Sequence, residues 1–239
     1  MKNYQSQLTK VKQAINNYNM LAPGDHLAVA LSGGKDSLAL LYLMHQLQQY
    51  SHLTFTLSAI HIDYGWNTAD ELSALQNYCT SLNIPFYINT IDYQNAPATF
   101  NCSICARIRR GALLATAREI SAQKTALGHH LDDVSATVLL NLTQGGRFRS
   151  FSPTIHYAEQ NITVIRPLIY LPEQTLARIA HEQNLPVIAS HCPLGSCSKR
   201  NDASLISEQL SAIDPKIKQK ILHALEHLTP EDQWLKLSH

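Results

Sequence analysis

Residues 27–44 read "LAVALSGGKDSLALLYLM". A short apolar run stops at Ser-Gly-Gly-Lys-Asp-Ser, and apolar residues then resume at helical spacing. The pattern demands a buried strand, a tight polar corner and a helix. Gly33 and Gly34 can take backbone conformations closed to other residues and let amide groups approach an anion. A helix starting near Ser37 points its positive end at the same place. Lys35 adds a full charge, and the Ser32 and Ser37 hydroxyls add donors. A tight turn alone would account for the glycines, but not for Lys35, Asp36 and both serines together. The corner reads as a phosphate cradle, with a glycine spacing unlike that of a Walker loop.

The same alternation continues along the chain. Strand patterns fall at 26–31, 54–63, 85–92, 124–129 and 162–168, with helical periods over 5–20, 37–49, 69–82, 104–121 and 132–143. Helical periods also close the chain, at 172–184, 202–212 and 215–228. Strands separated by helices imply an α/β fold, a parallel sheet sandwiched by helices, with a helical C-terminal segment. The expected division is an N-terminal helix (1–22), a main domain (23–200) and a helical extension (201–239). In such a sheet, ligands bind beyond the carboxyl ends of the strands, where Ser32–Ser37 falls.

Composition narrows the class. At 239 residues and 45% hydrophobic, the chain can bury one sizeable core. No apolar run reaches the ~18–20 residues of a membrane span, and the first residues lack a signal-peptide centre. A cytoplasmic location without membrane partners is therefore expected. The net charge is only +1, yet residues 101–150 hold seven basic residues against three acidic ones. Arg107, Arg109, Arg110, Arg118, Lys124, Arg147 and Arg149 would make a cationic face suited to phosphates, or an ordinary helix surface.

Five cysteines in such a chain point to metal or redox chemistry rather than disulfides. Cys102 and Cys105 form a C-x-x-C at the start of the Arg-rich helix, where thiolates are favoured. By itself this pair leaves zinc, a cluster or a redox disulfide open. Cys192 is the candidate for the third ligand a cluster would need, and Cys79 falls on the apolar side of a helix.

"SGGKDS" resembles the PP-loop of the adenine-nucleotide alpha-hydrolase superfamily, whose members cleave ATP between the α- and β-phosphates. "CSICARIRRGALLATAREISAQKTALGHHLDDVSATVLLNLTQGGRFRSF" is similar to the tRNA 2-thiocytidine synthetases, as are "NNYNMLAPGDHLAVALSGGKDS" and "VIRPLIYLPEQ". The resemblance covers roughly residues 5–200. It implies an ATP-dependent sulfurtransferase that adenylates a pyrimidine carbonyl in tRNA, cytidine first among candidates, and replaces the oxygen with sulfur. ATP would rest on Ser32, Gly33, Gly34, Lys35, Asp36 and Ser37, with Mg²⁺ held by Asp36 and Asp133. Adenine would meet the backbone at Ile60 and His61, and Gly128 would admit the ribose. Asp133 would be the more important carboxylate beside the activated base, with Asp132 a helix-start residue. Arg109 and Arg110 would stabilise negative charge.

The same resemblance implies a 4Fe-4S cluster on Cys102, Cys105 and one later cysteine, Cys192 favoured over Cys197. Here the chain departs from the family, which has a C-x-x-C where this sequence reads "CPLGSC". Implied partners are tRNA and a sulfur donor such as a cysteine desulfurase; a homodimer is compatible with it. Three alternatives stay open: a lysidine-synthetase-like tRNA ligase, a cluster-bearing PP-loop enzyme acting on a small molecule, and a non-enzymatic nucleotide- or cluster-binding module.

Overall fold

The computed structural model describes residues 4–91, 102–189, 191–192 and 199–229. The stretch "YQNAPATFN" and Cys197 lie outside the described residues. The elements in chain order are α1 (Gln5–Asn17), β1 (His26–Ala30), α2 (Lys35–Tyr50), β2 (Thr56–Asp63), α3 (Ala69–Ser81) and β3 (Phe86–Thr90). There follow α4 (Cys102–Glu119), β4 (Lys124–Ala126), α5 (Leu131–Gly145), β5 (Thr154–Tyr157), β6 (Ile162–Ile165), α6 (Glu173–Glu182), α7 (Lys199–Ile213) and α8 (Ile217–Glu226).

The sheet order is β3-β2-β1-β4-β6-β5. All neighbouring pairs are parallel except β5 with β6. The expected α/β class holds, with one unforeseen edge strand. β5 is four residues long and half-exposed, so its sequence carries little alternation; it pairs through a turn at Asn161, which takes φ +53°. From β1 the chain winds outward to β2 and β3, then returns to place β4 on the other side of β1. This reversal is the topological switch point, and the loops after β1 and β4 flank it.

The chain divides into two compact units. One comprises Met1–His130 with Ser152–Ser196 and contains the sheet; the other comprises Leu131–Phe151 with Cys197–His239. In the first, Leu27, Ala28 and Val29 of β1 are fully buried. α2 is buried without a break from Ser37 to Met44, because it packs against β1, β2, α1 and α6. Its "SLALLYLM" is therefore apolar almost all round rather than on one stripe. On the other side of the sheet, Leu113, Leu114 and Ala117 of α4 pack with Ala28, Ile60, Ile162 and Val164. In the second unit, α5 packs against α7 and α8. Ser135 and Ser207 share a buried hydrogen bond of 3.0 Å, and Lys218 donates to Asp132. No described helix is long and apolar enough to cross a membrane.

Candidate nucleotide and metal site

The corner after β1 is built as a cradle, with two adjustments to the expected geometry. Gly33 takes φ +85°, a conformation that costs other residues about 1–2 kcal/mol. Gly34 does not share it: at φ −74°, ψ 157° it is the N-cap of α2. The helix starts at Lys35 rather than near Ser37, so Lys35, Asp36 and Ser37 form its first turn. The Ser37 hydroxyl accepts from the Ser32 amide at 3.1 Å and donates to the Gly34 carbonyl at 2.9 Å. These two bonds tie the loop to the first turn of α2.

Gly128 explains how the two loops of the switch point meet. A Cβ there would stand 3.2 Å from the backbone of Asp36 and Ser37, so only glycine leaves α2 this close to the end of β4. Two residues on, His130 Nε2 lies 3.8 Å from Asp36 Oδ2. Lys35 Nζ lies 2.7 Å from Glu173 and 3.3 Å from Asp36. One ligand atom each of Asp36, His130 and Glu173 falls within 4.8 Å of the others. Burial pushes the Asp36 carboxyl up in pKa, and His130 and Lys35 oppose it. Burial works against the Lys35 charge, but Glu173 and Asp36 outweigh it and hold the ammonium above its ordinary value. Asp36 Oδ1 is buried with no hydrogen-bond partner among the described residues. A carboxylate oxygen so placed, at a helix N-terminus and beside Glu173, suits a hard cation such as Mg²⁺.

Ile60 and His61 serve the sheet and the loop. The Ile60 carbonyl accepts from the Leu31 amide at 2.8 Å. The His61 ring is buried, with Nδ1 2.7 Å from the Leu31 carbonyl and Nε2 2.9 Å from Asn67. A carbonyl only accepts, so Nδ1 carries the proton. His61 thus braces the residue immediately before Ser32, and β2 runs on to Asp63.

Beyond Asp63 the chain turns sharply. Asp63 Oδ1 accepts from the Gly65 amide at 3.0 Å and from Asn67 at 3.2 Å, and Gly65 takes φ +74°. The turn sets Tyr64 against Trp66, rings stacked at 4.7 Å. The Tyr64 hydroxyl meets Cys105 twice: it donates to the carbonyl at 3.2 Å and accepts from the sulfur at 3.3 Å. Burial raises the phenol pKa, and the sulfurs of Cys105 and Cys192 raise it further while Arg109 lowers it. Of these three, Cys105 is the one in hydrogen-bond contact with the hydroxyl. Cys102 shares the first turn of α4 with Cys105 and is exposed, and Arg109 follows Cys105 by one helical turn. All four described cysteines are free thiols, and Cys79 is buried, as its helical position implied.

The segment carrying Cys192 is fixed at two points. The Ile188 amide donates to the Gly33 carbonyl at 3.0 Å, and its side chain fills the notch that a Cβ on Gly33 would occupy. His191 Nε2 lies 2.8 Å from Glu71, whose other oxygen closes the capping box of α3 with Thr68. Asp133 belongs to the second unit, in the first turn of α5. Sequence reasoning missed Tyr64, Glu71, Glu173, Ile188 and Arg166. Arg166 is buried, donates to His129 Nδ1 at 3.2 Å and to the Ser152 carbonyl at 2.6 Å, and burial lowers its pKa to about 10. A buried arginine in "VIRPL" was the one local signal available.

Comparison with known proteins agrees with this geometry. Residues 3–191 match the PP-loop domain family. The tRNA-cytidine(32) 2-sulfurtransferase of Bordetella petrii is 36% identical over 225 residues, spanning 91% of this chain and 69% of its own. That of Nitrosospira multiformis is 36% identical over 229 residues, spanning 92% and 76%. Among solved structures, the U34-tRNA thiolase of Methanococcus maripaludis with its 4Fe-4S cluster superposes with a TM-score of 0.77 at 26% identity, over 94% of this chain and 80% of that one. The NH3-dependent NAD synthetase of Campylobacter jejuni, 14% identical with a TM-score of 0.51 and full coverage of both chains, shares the fold. The resemblance drawn from the motifs therefore holds along the chain: it is a PP-loop protein and belongs to the tRNA-cytidine(32) 2-sulfurtransferase family.

Proposed function

We propose that this chain is an ATP-dependent sulfurtransferase that converts a cytidine of tRNA to 2-thiocytidine. The observation that carries the proposal is the join between two chemistries: Ile188, seated on Gly33 of the phosphate loop, lies four residues before Cys192. A chain that only bound nucleotide would have no need to tie a cysteine-bearing segment to its phosphate loop.

In the proposed reaction ATP lies on Ser32–Ser37, its phosphates facing the α2 N-terminus and Lys35. Incoming phosphate oxygens compete with Glu173 for the Lys35 ammonium. Asp36 and Glu173 fit a Mg²⁺ ion bound with the nucleotide, which would offset phosphate charge. The cytidine O2 attacks the α-phosphorus, the Pα–O bond to the β-phosphate breaks, and pyrophosphate leaves. Sulfur then bonds to C2 of the adenylated base, and the C2–O bond breaks with AMP as the leaving group. Cys102, Cys105 and Cys192 would hold a 4Fe-4S cluster, which would supply the chemistry of sulfur delivery. Arg109 would stabilise the charge that develops, and Asp133 would be the carboxylate that acts on the activated base. A cysteine desulfurase is the proposed source of sulfur, with a thiol reductant supplying the two electrons that bring its persulfide sulfur to the sulfide level, and the base would be taken from an unpaired loop of the RNA.

The test is anaerobic purification with an iron and sulfide count, followed by incubation with ATP, sulfide and tRNA and nucleoside mass analysis. Four irons per chain and ATP-dependent 2-thiocytidine are expected. Lysidine in place of a thiolated base, or thiolation of a free small molecule but not of tRNA, would replace this proposal with its rivals.

A further inference from the structure

Tyr64 touches Cys105 of the cysteine site, yet no part of the reaction above uses it. Its hydroxyl is 3.3 Å from Cys105 Sγ and 3.2 Å from the Cys105 carbonyl. Its ring is buried, stacked on Trp66, and held by a turn that Asp63 closes through Gly65 and Asn67.

In the thiol form the sulfur donates its proton to the Tyr64 oxygen. A ligating sulfur has no proton to give, so the direction of the bond must reverse. The only proton then available along that 3.3 Å line is the phenolic one, which turns from the carbonyl towards the sulfur. Hydrogen bonds to cluster sulfurs stabilise the more negative, reduced state and are one of the levers that set its potential.

We infer that Tyr64 is a positioning residue for the cluster ligand Cys105, donating a hydrogen bond to its thiolate and thereby raising the reduction potential of the bound cluster. This rests on the assignment of Cys102, Cys105 and Cys192 as cluster ligands. The loop "DYGWN" thus links the end of β2, beside the nucleotide site, to the electronics of the sulfur-carrying centre.

The experiment compares reconstituted wild type with Tyr64→Phe. Iron per chain is counted first, then the potential is measured by EPR-monitored redox titration. The phenyl ring keeps the stacking and the volume, so iron content and melting temperature should match wild type. The potential should shift to a more negative value, and one exchangeable-proton coupling in the ENDOR spectrum of the reduced cluster should vanish. An unmoved potential with the coupling retained, at full iron content, overturns the role of Tyr64 and leaves the ligand assignment standing. A wild type that binds no iron overturns both. Should Tyr64→Phe take up no iron, Tyr64→3-fluorotyrosine serves instead. Its stronger donor should move the potential positively, and no movement there overturns the inference.

Discussion

Gly33→Ala probes the joint between the phosphate loop and the Cys192 segment. Position 33 has φ +85°, which costs alanine about 1–2 kcal/mol. The new methyl would also lie far inside van der Waals contact with Ile188 Cγ1 and Cδ1. Overpacking of this kind costs about 1–3 kcal/mol, so the combined loss is ~2–5 kcal/mol. In a chain of this size each kcal/mol lowers the melting temperature by about 2–4 °C, which gives a fall of ~4–20 °C by calorimetry. The two contributions separate in a double-mutant cycle. Ile188→Ala empties the notch, so in its background Gly33→Ala should cost only the backbone part, and the coupling should be about 1–3 kcal/mol. Additive losses, or a Gly33→Ala melting curve superposed on wild type, would refute the notch and with it the mechanical link to Cys192. Titration with a non-hydrolysable ATP analogue should show weaker binding in Gly33→Ala, recovered in part by Ile188→Ala.

Other perturbations read other parts of the molecule. Lys35→Ala should lose ATP affinity and pyrophosphate release while melting within a few degrees of wild type, since Lys35 is one-third exposed and its ammonium pairs with the side chains of Asp36 and Glu173. Asp133→Asn should abolish turnover and leave nucleotide binding nearly intact; a lowered melting temperature with turnover preserved would make it a helix-start residue instead. Anaerobic protein should be brown, and alanine at Cys102, Cys105 or Cys192 should bleach it, whereas Cys79→Ala should not. Burial lowers the His45 pKa, and its Nδ1 is buried with no hydrogen-bond partner among the described residues. The unfolded chain therefore takes up this proton first as pH falls below ~6.5, and stability present above that value is lost. Melting temperatures from pH 8 to 5 should fall less steeply in His45→Asn than in wild type.

What could be seen in the residues alone was whatever a few consecutive positions decide. The strand–corner–helix at 26–50, the βα alternation, the thiol pair opening an Arg-rich helix and the burial of Cys79 all follow from backbone chemistry or from a period repeated within one element. Errors arose where that local signal was weak. β5 is four residues of half-exposed edge, and Gly34 has an ordinary φ that its identity does not disclose.

The tertiary structure decided which distant residues meet. Glu173 reaches Lys35, and His130 reaches Asp36, because β4 inserts beside β1 and opens the switch point there. Ile188 lies over Gly33, and Tyr64 touches Cys105, across separations of 155 and 41 residues. These contacts depend on strand order and on where each turn releases the chain. No single segment contains that information, since it arises only when the sheet is assembled.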